Sequence, residues 1–248
     1  MKKIVSILFL FVFFICDITT KAQTNMKPLS QLLINKSDTW SLIKKQIQKA
    51  KNPVTILPKN AENADRTLYQ AQVTINSPMG AVIYETGGIL IDSGWIRILG
   101  SGSRYLNRNV MKWNKGKSFS KWGERPSFIL IADDVLGGFY AINGGGIDTI
   151  GIGEVFYFSP DDARWSNLQL SYSGFLNFCF QGNLAEYYKN LRWVSWKKDI
   201  KKMNGDSGFI TFPFLWSKEG RNINKTTKKI VPINYLWDLY FKGETTNN

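Results

Sequence analysis

Two pairs of adjacent acids, Asp133-Asp134 and Asp161-Asp162, are the residues of this chain best suited to chemistry. Two carboxylates can divide acid and base work, as glycan hydrolysis requires, when they face each other across a substrate at roughly 5 to 10 Å. Exposed tryptophans such as Trp165 would then serve as platforms for the sugar. The same acids are turn formers, because an aspartate carboxyl accepts from backbone N–H groups a residue or two further on. Both uses are open from sequence. Lysine, tyrosine and oxygen-ligated metal chemistry stay open beside them, while imidazole chemistry is closed. The chain has no histidine, which excludes a Ser-His-Asp triad, a Cys-His pair and the HExxH metal motif. Of its two cysteines, Cys16 lies in the N-terminal apolar run and Cys179 stands between Phe178 and Phe180. A single thiol among aromatics suits a core; it forms no internal disulfide and builds no zinc site. No cofactor or metal is expected.

A second kind of chemistry is recognition. Residues 77–102 read SPMGAVIYETGGILIDSGWIRILGSG, and so much glycine raises the question of a phosphate cradle. A phosphate loop needs GK[ST] opening a helix, and a dinucleotide fingerprint needs glycine where this chain has Tyr105. Both fail. ILID and WIRIL around Gly94 instead predict a β-hairpin. In WIRIL, Trp95 and Arg97 stand two apart and are expected on one face, with Ile96 and Ile98 on the other. An aromatic and an arginine on an outer face are residue types enriched at interfaces. Trp95 and Arg97, with Asp133 and Asp134 from one loop and Asn143 from the next, therefore form the candidate binding site, expected at one end of a sheet. Burial of Arg97 in a pair with Asp133 or Asp134 is the alternative.

These residues need elements to hold them. Asp38 is placed to cap a helix whose apolar face is Trp40, Ile43, Ile47 and Ala50, ended by Asn52-Pro53. Leu29 to Ile34 predicts a shorter helix. Tyr69 to Ile75 and Met79 to Tyr84 read as strands around Ser77-Pro78. Further strands are expected at Phe128 to Ala132, at FYAIN after Gly137-Gly138, and at Val155 to Phe158. Neighbours this close pair most simply antiparallel. A helix is expected from about Ser171 to Phe180, with Asn183 and Glu186 restarting it as a capping box. Trp193, Trp196, Ile200 and Met203 give another helical face. Phe209 to Leu215 reads as an edge strand, given Pro213, and 233–241 as a last helix. Together they predict an α+β fold: a mostly antiparallel central sheet of short strands, with helices from the N- and C-terminal segments packed on it. Residues 23–241 are expected to form a single domain, followed by a polar tail at 242–248.

The N-terminus has the layout of a secretory signal: Lys2-Lys3, an apolar Ile4 to Cys16, then Thr20-Lys21-Ala22 as a small-x-small exit. Cleavage after Ala22 is expected, and the apolar run falls short of the roughly 20 residues of a membrane span. Export places the chain in a periplasm or outside the cell. The net charge of +13 favours anionic surfaces or polymers. The lysines are dispersed and no nucleic-acid motif accompanies them, so nucleic acid is not expected as a partner.

SPMGAVIYETGGILIDSGWIRILGSG, FILIADDVLGGFYAINGGG, VFYFSPDDARW and GFITFPFLW, in that order, resemble the bacterial domain-of-unknown-function family 2625. The resemblance covers roughly Trp40 to Tyr240 and carries no activity with it. ILIADDVLGGFYAIN, EVFYF and SYSGFLNF are more loosely similar to the SUKH superfamily. That likeness implies an α+β sheet domain, often an immunity protein that binds a toxin. From sequence, the favoured function is a non-catalytic binding module for a protein partner or an extracellular ligand. The alternative is a carboxylate-dependent enzyme acting on glycans.

Overall fold

A computed structural model describes residues 26–34 and 38–242. The N-terminal segment read as a signal lies outside them, as does the tail from residue 243. Seven strands form one antiparallel sheet: β1 (Val54–Leu57), β2 (Gly88–Ile91), β3 (Ile96–Leu99), β4 (Phe128–Asp134), β5 (Phe139–Asn143), β6 (Val155–Ser159) and β7 (Arg164–Leu170). Their order in space is their order in the chain, and every neighbour pairs antiparallel. A separate two-stranded ribbon joins β8 (Ser207–Phe212) to β9 (Thr227–Pro232). The helices are α1 (Leu29–Leu32), α2 (Thr39–Gln48), α3 (Ala61–Ala71), α4 (Pro78–Glu85), α5 (Val110–Asn114), α6 (Tyr172–Gln181), α7 (Leu184–Tyr187), α8 (Trp196–Ile200) and α9 (Ile233–Phe241). The α+β expectation holds. Among the described residues, no helix is long and apolar enough to cross a membrane.

Alternation along the strands divides the interior into two cores. Tyr140 and Tyr157 join Ile96 and Ile98 on one face, packed by Phe175, Leu176, Cys179 and Phe180 of α6. Phe139, Ala141 and Phe158 line the other face, packed by Leu68 of α3, Val110 of α5, and Leu236 and Trp237 of α9. Over β3 to β6 both faces are covered, so a residue there that points away from one core enters the other. This fact decides the fate of the expected binding site.

Neither strand expected around Ser77-Pro78 forms: Tyr69 to Ala71 and Pro78 to Glu85 are helical, and 72–75 is a loop. Asn60 accepts from the Asn63 N–H at 3.0 Å and caps α3, whose Ala64, Thr67 and Leu68 are buried at helical spacing. That helix takes in Tyr69 to Ala71. Ser77 accepts from the Gly80 N–H, and Pro78 occupies the first turn of α4, where its missing N–H costs nothing. The apolar run AVIY fits either period, and the cap decides between them. The long helix expected through Trp193 to Met203 is helical only over Trp196–Ile200, although Trp193, Ile200 and Met203 are buried as its stripe implied. Strands β7 (RWSNLQL) and β9 (TKKIVP) carry too many polar residues to stand out in sequence, and β7 is an edge strand with largely exposed side chains. Strand β1 (VTIL) is apolar but only four residues long, and it is not among the strands expected from sequence.

Candidate functional site

The β2–β3 turn runs through Asp92, Ser93 and Gly94, all at positive φ (47°, 63° and 89°). The strand proper begins at Ile96. Trp95 therefore belongs to the turn and does not share a face with Arg97. It enters the core of Ile96 and Ile98, fully buried, where its ring packs against Tyr188, Trp193 and Trp196. The expectation of an outward Trp95 and Arg97 is thus corrected, because alternation holds only within the strand and the sheet has no bare face there.

Arg97 is 1 % exposed and Asp133, its partner across β3 and β4, is fully buried. A bulge between Leu130 and Ala132 shifts the alternation of β4, so that Asp133 falls on the Arg97 face. Arg97 Nε donates to Asp133 Oδ1 at 2.6 Å and Arg108 Nη1 donates to Asp133 Oδ2 at 2.5 Å. Arg97 also donates to the carbonyls of Asp134 (2.9 Å) and Ser207. Arg108 continues to Asp206 Oδ1 at 3.0 Å and to the Gly205 carbonyl at 2.9 Å, while its guanidinium lies over Trp113 at 4.5 Å. Two arginines and two aspartates thus tie the sheet to the start of β8. The internal pairing left open in the sequence is the one the structure contains. Asp206 lies far from Arg97 in sequence and Arg108 in the loop that follows its strand, and no spacing rule singles either out.

Asp134 turns to the opposite core. Its Oδ1 accepts from the N–H groups of Leu136 (2.8 Å) and Gly138 (3.0 Å), and its Oδ2 from Tyr157 Oη at 2.6 Å. Burial raises the Asp134 pKa above the ordinary carboxylate value, against those bonds and the nearby Arg97 charge. Tyr140 and Tyr188 bond through their hydroxyls beside it, and burial pushes both phenols up. In the β6–β7 turn, Ser159 donates to Asp161 and the Arg164 N–H to Asp162 Oδ1 at 3.1 Å. Trp165 is half-buried against Phe128, Phe158 and Phe241, so it offers no open platform. Among the described residues no group of three or more acids or cysteines converges to hold a metal.

Asn143 has a different role. It ends β5 and is 1 % exposed. Its Oδ1 accepts from the N–H groups of Gly145 (2.8 Å) and Ile147 (3.2 Å), and its Nδ2 donates to the carbonyls of Asp148 (2.8 Å) and Ile150 (3.1 Å). Its own backbone bonds Glu154 and Gly153 across the loop mouth. Gly144 and Gly146 both donate to the Ser127 carbonyl, an approach so close that a Cβ on either would meet Pro126 or Ser127 backbone or side-chain atoms within 2.6 Å. A buried amide and two glycines thus order the loop 144–153. That loop holds Ile150 at 77 % and Ile152 at 53 % exposure. The 134–138 turn and this loop leave opposite ends of β5, about 14 Å apart at the strand's usual rise. The five expected site residues therefore do not form one surface.

Fold and site together define an α+β protein built on a seven-strand antiparallel meander, with a buried ionic knot at one end and an ordered glycine loop at the other. The family described as "Protein of unknown function DUF2625" matches residues 29–236, and the chain belongs to that family. An "Uncharacterized protein" of Haemophilus influenzae is 41% identical over 216 residues, covering 87% of this chain and 94% of the relative. The "Putative uncharacterized protein YbfG" of Escherichia coli strain K12 is 38% identical over 225 residues, covering 89% and 99%.

Proposed function

We propose that the chain is an exported, non-catalytic binding module that holds a protein partner through the loop 144–153. The observation that carries this reading is the Asn143-ordered loop presenting Ile150 and Ile152 to water. Exposed isoleucines cost hydration free energy, and a pre-ordered loop adds little entropy cost when they enter an apolar pocket. The loop residues 144–154 include Asp148 and Glu154 and no lysine or arginine, which favours a protein over an anionic lipid surface. The four candidate carboxylates support the same reading against glycan hydrolysis, since Asp134 and Asp162 serve turn backbones, Asp161 a neighbouring serine and Asp133 two arginines. The SUKH-like segments fall on β4, β5, β6 and α6, a sheet-and-helix arrangement consistent with a recognition domain. Export rests on the Lys2-Lys3 start, the apolar run and the Thr20-Lys21-Ala22 exit.

A photo-crosslinker at position 150, used in the native envelope, should trap one discrete protein. That protein, purified, should then bind the wild-type chain at least tenfold more tightly than an Ile150→Ser/Ile152→Ser variant of unchanged unfolding midpoint. Equal affinity of the variant, or binding to anionic vesicles in place of a protein, would overturn the loop assignment. Sequencing the mature N-terminus should give Gln23; a start at Met1 or a lipidated Cys16 would reject the export reading.

A further inference from the structure

A cleft of about 450 Å³ opens where the end of α2, the β2–β3 turn and the α6–α7 link meet, a size within the range of small-ligand sites. Lys51, Asn52, Asp92, Asn183, Arg192 and Lys197 line it, so three cations face a single acid. Arg192 is the built part. Its guanidinium lies over Trp196 at 4.4 Å, Trp95 at 4.8 Å and Tyr188 at 5.4 Å, and the side chain is 11 % exposed. Its Nη2 lies 2.6 Å from Asp92 Oδ2 without the alignment of a hydrogen bond. Nε and Nη2 are sealed from solvent, Nη2 against Asp92, which leaves Nη1 as the donor open to the cleft.

Buried donors are almost always paired, and a guanidinium carries five. An arginine clamped by three rings and one carboxylate, with Nη1 still free, is pre-organised to meet an oxyanion entering the cleft. The walls are also fixed. Asn52 Nδ2 donates to the carbonyls of Cys179 and Gly182 at 2.9 Å each, and the backbone N–H groups of Lys51 and Asn52 both reach the Phe180 carbonyl. Lys51 and Lys197 stand exposed at the rim, and no acid pairs with either among the described residues. Asp92 offsets one of the three positive charges, which leaves the cleft cationic.

We propose that this cleft binds a small organic oxyanion, a carboxylate or a phosphate ester, with Arg192 as the central donor and Lys51 and Lys197 as the rim. Trp95, buried behind Arg192, holds that guanidinium in place from the core side. The cleft lies at the β2–β3 turn, away from the loop 144–153, and the proposal stands independently of that loop's partner.

Citrate, glucose 6-phosphate and glucose are titrated separately into the mature chain at low salt, followed by tryptophan fluorescence and calorimetry. Citrate or glucose 6-phosphate should give a saturable change, and the stronger of the two names the class. Lys51→Gln/Lys197→Gln should weaken that binding about three- to tenfold with its unfolding midpoint unchanged, and Arg192→Lys should weaken it further. No saturable binding of either anion to millimolar concentration would overturn the proposal. So would equal binding of glucose, or unchanged affinity in the double lysine variant.

Discussion

The two ends of β5 are built on opposite plans. At the 134–138 end, charge is buried: Asp133 is locked between Arg97 and Arg108, and Asp134 is spent on its own turn. At the Asn143 end, a neutral amide is buried and apolar side chains are left in water. Charges taken out of water must be met by opposite charges and hydrogen bonds, so they draw distant segments together and leave little free to act. A buried amide needs only the backbone around it, so the side chains of its loop remain free to point outward. The acids that invited a catalytic reading thus carry structural bonds, and the surface proposed for recognition is the loop that Asn143 holds from within.

The strongest test of that contrast is Asp133→Ala, which strands Arg97 in the core. It should cost about 3 to 5 kcal/mol in chemical denaturation, and Arg97→Ala should cost a similar amount. A loss within about 0.5 kcal/mol for Arg97→Ala, the figure for an exposed residue, would break the comparison. Asn143→Ala should cost about 1 to 3 kcal/mol from orphaned backbone groups. Its mark is local, with hydrogen-exchange protection lost at Gly145 and Ile147 first, and a uniform loss across the sheet would mean the amide is not a loop organiser. Cys179→Ser places a hydroxyl where a buried thiol packs beside Phe180, and should cost about 1 to 3 kcal/mol. Burial also raises the Cys179 thiol pKa well above its ordinary value, so the native protein should resist thiol labelling until it unfolds.

Asp134→Asn should act the other way. The asparagine keeps Oδ1 for Leu136 and Gly138 and reverses the bond to Tyr157, while removing a buried charge. A raised folded pKa contributes stability that is full below the unfolded carboxylate value and is lost as pH rises through the folded value. The variant should therefore gain on wild type at neutral pH, and the gap should narrow as pH falls toward 4 or below. A gap that widens in acid would place the charged carboxylate among the stabilising groups. The smallest effect on stability belongs to Ile150→Ser/Ile152→Ser, within about 0.5 kcal/mol, because both side chains already stand in water.

Local signals decided much of this fold. Asp38 and Asn183 cap helices as their sequence positions implied, because a cap needs only a side chain and an N–H two or three residues on. Ser171, expected only as the start of a helix, caps it as well. The hairpin around Gly94 and strands β4, β5 and β6 were legible from apolar runs bounded by glycine. The fit of AVIY to either period was not resolvable without the Ser77 cap, and the polar edge strands had no pattern to show. Asn143 before three glycines marked a loop, but not the buried amide that orders it. It did not reveal that Ile150 and Ile152 would be left outside.

What the sequence determined by itself was the absence of imidazole chemistry, the single thiol beyond the N-terminal run, the antiparallel sheet and the capped helices, all set by residue type and short-range geometry. What only the tertiary structure decided was which side of each residue met water. Trp95 and Arg97 are two apart in sequence but enter different cores, since helices cover both faces of the sheet and the turn ends between them. Asp133 found its second arginine at position 108, and Arg192 found its rings at positions 95, 188 and 196. Burial and long-range pairing arise from packing many segments at once, and no local spacing encodes them.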